Sequence, residues 1–238
     1  MKRLTILFIS LLMLFVAAQA YAYSVTIVKT PGTTQSTTAL TGSSTWGDDM
    51  DGMSVTAFFY NAGSETIAWA DTGSGAGAAA GTGWSLAESG DTFTSIWTLS
   101  VTPTPGTSIT GLLIDAGAGD AVFDTTFGGS AGTTGSASGR DFTVTSTDGS
   151  GEIVATYVDE VALTGNPAVG DLFRYLDIQF STADFGRGFA GTLEFQQDTD
   201  SLNLAGDIDP VPEPTTMLLL GSGLFGLAGF RRRFLKQS

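Results

Sequence analysis

Between two apolar ends this chain is written largely in period two, and that constrains its fold more than any other feature. Thr92–Val101 reads TFTSIWTLSV. It sets Phe93, Trp97, Leu99 and Val101 on one face and Thr94, Thr98 and Ser100 on the other, with Ile96 the exception. Phe189–Phe195 (FAGTLEF) puts Phe189, Leu193 and Phe195 inward, with Thr192 and Glu194 outward, and Leu176–Phe180 (LDIQF) alternates throughout. Further candidates are Ser24–Lys29, Met53–Tyr60, Glu65–Ala70, Ser108–Asp115, Arg140–Thr145 and Glu152–Leu163. Successive side chains of a strand point to opposite faces, so alternation rich in β-branched and aromatic residues describes half-buried strands. Nothing in the middle sustains a helical period, which excludes a parallel βαβ architecture. Roughly ten short strands separated by Gly- and Ser-rich turns predict an all-β fold, an antiparallel β-sandwich of jelly-roll-like form. Thr72–Gly83 (TGSGAGAAAGTG) and Thr125–Gly139 (TTFGGSAGTTGSASG) read as long mobile loops.

Composition narrows the chemistry. The chain has no cysteine and no histidine. That removes disulfides, thiol nucleophiles, zinc sites built on those ligands, and serine–histidine or cysteine–histidine catalysis. Residues 23–212 carry 23 Asp and Glu against four basic residues, Lys29, Arg140, Arg174 and Arg187. A surface that acidic repels phosphate backbones, so no nucleic-acid partner is expected.

The ends carry the targeting information. Lys2 and Arg3 precede an almost wholly apolar run from Leu4 to Val16, followed by two small-residue frames, Ala18-Gln19-Ala20 and Ala20-Tyr21-Ala22. This is the layout of a secretory signal peptide over residues 1–22, cleaved before Tyr21 or Tyr23 by signal peptidase after passage through the secretion translocon. At the other end Met217–Phe230 is uncharged, and Arg231, Arg232, Arg233 and Lys236 follow it. As a helix at ~1.5 Å per residue the segment covers about 21 Å, or about 24 Å if Thr215 and Thr216 are counted, short of a ~30 Å hydrocarbon core. Gly221, Gly223, Gly226 and Gly229, with Ser222, leave it a smooth face on which another membrane helix can pack. The arginines act as a membrane stop on the cytoplasmic side. Immediately before the span, Val211-Pro212-Glu213-Pro214 is forced into an extended form by its prolines.

Pro212-Glu213-Pro214, the glycine-broken apolar helix and the arginine cluster, in that order behind a signal peptide, resemble the PEP-CTERM sorting signal. The resemblance implies a Gram-negative host that makes extracellular polysaccharide. It also implies exosortase as the partner that recognises Pro212, Glu213 and Pro214, transient residence in the inner membrane, and processing near the motif. Segments such as GDDMDGMSVTAFF and VALTGNPAVGDLFRYLDIQF are similar to ones that recur in PEP-CTERM proteins without an assigned activity. The domains expected are therefore 1–22 (signal peptide), 23–197 (β-sandwich), 198–214 (acidic linker ending in the motif) and 215–238 (transmembrane helix and basic tail).

Few residues suggest a site. Asp48-Asp49-Met50-Asp51-Gly52 fails as an EF-hand loop: with Gly52 as the sixth residue, the first and twelfth positions fall on Gly47 and Phe58, neither of which supplies a side-chain oxygen. Asp198-Thr199-Asp200 is the one cation reading, with two carboxylates able to turn toward a structural calcium ion; the alternative is a solvated acidic turn. No other cofactor is expected. Of the four tryptophans, Trp69, Trp84 and Trp97 share apolar strand faces, whereas Trp46 lies in a polar turn and is the candidate glycan contact; Tyr157 and Tyr175 are weaker ones. The function expected is non-enzymatic, as an exported surface or matrix protein associated with biofilm polysaccharide. Two alternatives stay open: a carbohydrate-binding module, calcium-stabilised or not, and a glycan-cleaving enzyme working with paired carboxylates.

Overall fold

The computed structural model describes residues 23–42, 45–103, 108–125, 133, 139–202 and 209–210. The expected signal peptide, the PEP residues Pro212, Glu213 and Pro214, the 215–238 span and the arginines Arg231, Arg232 and Arg233 lie outside the described residues. Among the described residues no helix is long and apolar enough to cross a membrane.

In chain order the strands are β1 (Tyr23–Thr30), β2 (Gln35–Thr37), β3 (Leu40–Gly42), β4 (Ser54–Phe59), β5 (Gly63–Ala68), β6 (Ala70–Gly73), β7 (Ala76–Gly81), β8 (Trp84–Ser89) and β9 (Trp97–Val101). They continue with β10 (Ile109–Asp115), β11 (Ala121–Asp124), β12 (Thr143–Thr147), β13 (Gly151–Leu163), β14 (Leu172–Phe180), β15 (Gly191–Gln196), β16 (Asp198–Leu202) and β17 (Asp209–Pro210). Helical structure among the described residues is confined to single turns at Gly47–Met50, Ala116–Gly119 and Thr182–Phe185.

The strands form two sheets. The larger, of 11 strands, runs β17-β2-β13-β14-β10-β4-β5, with β1 also on β13 and with β11, β16 and β3 continuing from β14. The smaller, of 6 strands, runs β12-β15-β9-β8-β7-β6 and is antiparallel throughout. The larger sheet is mixed, which corrects the purely antiparallel expectation: β1 and β2 both lie parallel to β13. A parallel pair needs a long crossover, usually a helix. Here more than a hundred residues of sheet intervene between β1 and β13, so the body of the fold is the crossover.

One hydrophobic cluster joins the inward faces of both sheets. Val55, Leu112, Ile114, Tyr157, Leu176 and Ile178 come from the larger sheet, and Trp84, Leu86, Trp97, Leu99, Leu193 and Phe195 from the smaller. Each large side chain buried this way contributes on the order of 1.5–3 kcal/mol. Aromatic rings tie the cluster together, with Trp97 5.3 Å from Trp69 and 6.0 Å from Phe195, and Phe142 4.8 Å from Phe195. Two of its aromatic residues also match their polar atoms. Trp97 Nε1 donates to the Gln197 carbonyl at 2.9 Å. The Tyr157 hydroxyl accepts from the Phe142 N–H at 2.6 Å and donates to Gln197 Oε1.

The expected loop over Thr72–Gly83 is instead the end of β6, all of β7 and the turn into β8. Its glycines are there for the tryptophans: a Cβ on Gly77 would run into the Trp69 indole, and one on Gly81 into the Trp84 indole. A strand that seats two indoles must be made of Gly and Ala, which is the composition of a flexible loop. Most of Thr125–Gly139 lies outside the described residues. The acidic linker expected from 198 begins later than predicted, because Asp198–Leu202 is a strand paired on both sides, to β11 and to β3.

Candidate functional site

β16 has a poor strand sequence, DTDSL, yet it is buried along most of its length. Its neighbours override local propensity, as β pairing commonly does. The antiparallel register with β11 sets Asp124 opposite Asp198 and Val122 opposite Asp200. Asp198 and Asp200, two residues apart, share one face of β16, and Asp124 lies directly across from Asp198. One carboxylate oxygen from each of the three lies within 4.8 Å of the others. Asp124 is 1% exposed, and Asp198 and Asp200 are fully buried. The face also holds Val122 and Leu202, which pack with Val161, Leu172 and Leu40 in a second small apolar cluster.

The Asp91–Ser95 turn holds this strand from the side. The Thr92 hydroxyl donates to Asp198 Oδ1 at 3.2 Å and accepts the Thr199 N–H at 3.1 Å. Among the described residues no hydrogen bond reaches Asp198 Oδ2. Burial, reinforced by the charges of Asp200 and Asp124, pushes the Asp198 carboxyl up to about 8. A solvated acidic turn is therefore not what Asp198 and Asp200 form. They belong to a buried group of three carboxylates, close enough together to hold a cation or to share protons.

A second buried acid sits under the Gly47–Met50 turn. Glu88 is 3% exposed, and neither of its carboxylate oxygens has a hydrogen-bond partner among the described residues. A Cβ on Gly47 would lie 2.6 Å from Glu88 Oε2, so the turn closes over the acid. Burial first, then the charges of Asp91 and Asp48, push Glu88 up to about 8. The acidic run at 48–51 is used for folding: Asp48 Oδ2 accepts the Gly75 N–H, Asp49 Oδ2 the Trp46 N–H, and Asp51 Oδ1 the Asp71 N–H.

Trp46 is 46% exposed, whereas Trp69, Trp84 and Trp97 are buried. Its ring lies against Gly75. A shallow groove of about 460 Å³ opens on the smaller sheet between Thr72, Ala76, Ser89, Ser95 and Thr98, and Trp46 does not line it. Tyr157 is fully buried, which withdraws it as a glycan contact; its hydroxyl is committed to the core. Tyr175 is half-buried under the Arg174 guanidinium, 4.9 Å from its ring centroid. Sequence reasoning missed Asp124 and Glu88. Asp124 ends the short apolar run AVFD far from Asp198 in sequence, and Glu88 sits in an alternating segment that reads as an ordinary strand.

What the fold and these residues define is an all-β, two-sheet protein with a buried acidic cluster, continued by a linear C-terminal signal. Residues 210–233 match the family described as the PEP-CTERM protein-sorting motif. The chain is thus a protein carrying the PEP-CTERM motif, an exported protein handled by exosortase at the membrane on its way to the cell surface. No curated protein and no solved structure matches it. The motif begins at Pro210, which β17 pairs with Gln35 of β2 at the edge of the larger sheet.

Proposed function

We propose that this chain is a structural protein of the cell surface or of an extracellular polysaccharide matrix in a Gram-negative bacterium. Its two sheets form a jelly-roll-like sandwich that is delivered by a disposable membrane tail. The tail at 215–238 crosses the inner membrane briefly, exosortase grips Pro212-Glu213-Pro214, and the β domain is released outward. The observation that carries the reading is the sorting motif at residues 210–233 behind an all-β domain. The span's shortness and its glycine-rich face suit a segment that a membrane enzyme handles rather than a permanent anchor. A role in architecture rather than catalysis is favoured because the chain has no histidine or cysteine, which leaves carboxylates as its main catalytic resource. Mass spectrometry of the protein recovered outside the cells tests the proposal: a C-terminus near the PEP motif is expected, and one still at Ser238 refutes processing.

A second reading, a carbohydrate-binding module, draws on the exposure of Trp46. Exposed indoles stack on sugar rings, and this one sits where its removal leaves the core intact. Binding of the host polysaccharide that falls on Trp46→Ala, with an unchanged melting temperature, would support it. Equal binding by the variant would remove it.

A further inference from the structure

Three buried carboxylates on one ladder are held together by a cation or by shared protons. Asp124 and Asp198 are directly opposed, and like charges in that position destabilise a strand pair. Burying an ionised carboxylate oxygen with no partner, as Asp198 Oδ2 is among the described residues, costs several kcal/mol. The cluster is reinforced by an independent feature: Asp198 is fully buried, its Oδ2 has no hydrogen-bond partner among the described residues, and its carboxylate is aimed at the other two. Thr92 fixes Oδ1 of the same carboxylate, so the remaining oxygen is held in place.

We propose that Asp124, Asp198 and Asp200 bind one divalent cation of the calcium class, which staples β16 to β11. The donors are all carboxylate oxygens, which selects hard cations. Calcium takes oxygens at ~2.3–2.6 Å, so any two of its ligands stand no more than about 5 Å apart, a condition that three carboxylate oxygens within 4.8 Å of one another meet. Magnesium demands near-ideal octahedral geometry and dehydrates reluctantly, so a site walled by three protein carboxylates suits it less well. Three carboxylates leave the rest of a six-to-eight-oxygen shell to backbone carbonyls and water. The ion would fix β16 in the sheet just before the chain runs on toward the sorting motif. It would bind only after export into a calcium-bearing medium. The site does not depend on how the tail is processed, so failure of the mass-spectrometric test leaves it standing.

The test uses the exported protein as cells release it. Equilibrium dialysis against radioactive calcium should show one ion per chain, with a Kd at or below about 1 mM. The thermal midpoint should rise by roughly 3 °C or more in about 10 mM calcium relative to EDTA, and by less in equal magnesium. Asp198→Asn and Asp124→Asn should each weaken calcium binding at least about tenfold and abolish the calcium-dependent rise. In EDTA the same variants should melt no lower than the wild type, because a neutral amide replaces one carboxyl of a crowded buried set and the amide oxygen placed at 198 can still accept from Thr92. That contrast separates a cation site from a set of shared protons, for which the variants would melt no lower than the wild type in either medium. Glu88→Gln, a buried acid outside the cluster, should keep the full calcium response. A wild-type chain that takes up no calcium, a response that survives Asp198→Asn, or one that Glu88→Gln also abolishes would overturn the assignment.

Discussion

Replacing Glu88 by glutamine should make this protein more stable at alkaline pH and leave it nearly unchanged at mildly acidic pH. Glu88 is buried with neither oxygen hydrogen-bonded among the described residues, and its folded-state pKa is raised from 4.5 to about 8. Because the folded value exceeds the unfolded one, the native state holds the proton more tightly. Below about pH 4.5 both states are protonated and the group contributes no pH dependence. Between about 4.5 and 8 only the native state keeps the proton, so stability falls as pH rises, at ~1.4 kcal/mol per pH unit at most. Above about 8 both states are ionised, and the whole penalty, on the order of several kcal/mol, persists. The substituted glutamine is nearly isosteric and always neutral, so it stands in for the protonated acid. Asp198 and Asp177 are also shifted upward, so the raw slope of the wild type is not diagnostic. The difference between wild type and variant is. Urea unfolding, read by the fluorescence of the buried Trp69 and Trp97, should give nearly equal stabilities at about pH 5 and a variant more stable by several kcal/mol at about pH 9. A difference that stays constant across that range would show that Glu88 is ionised and satisfied in the native protein, and the burial argument would fail.

Three further outcomes follow from the packing. Tyr157→Phe deletes the hydroxyl that joins the Phe142 N–H to Gln197 Oε1. It should cost about 1–3 kcal/mol, measured by the same unfolding assay, because buried polar partners lose their match. Gly77→Val drives a branched side chain into the Trp69 indole and should lower stability by at least about 1–3 kcal/mol, with a changed tryptophan emission spectrum. Arg174→Lys should do much less. The guanidinium contacts Asp115 through two bonds of 2.8 and 2.9 Å, but the pair is partly exposed, so a loss under about 1 kcal/mol that shrinks in high salt is expected.

The core follows from alternation wherever the inward residues are large. Trp97, Leu99 and Val101, and Phe189, Leu193 and Phe195, are buried as their period requires. β7 escapes a sequence reading because its identity comes from its neighbours. Small residues are needed under two indoles, and a string of Gly and Ala carries no sign of what it must accommodate. β16 escapes it for the related reason that DTDSL is a strand only between β11 and β3.

Two properties of this protein are written locally and need no tertiary structure. Period two is set by strand geometry residue by residue, so the all-β class is legible along the chain. The sorting motif is a linear signal read by another protein, so its order and composition suffice. The larger sheet's parallel pairs and the acidic cluster are different. β1 meets β13, and Asp124 meets Asp198, only through a ladder register fixed by the packing of both sheets on one core. Pairing between distant strands leaves no periodic trace in either one, which is why two of the three aspartates could be named from sequence and their partner could not.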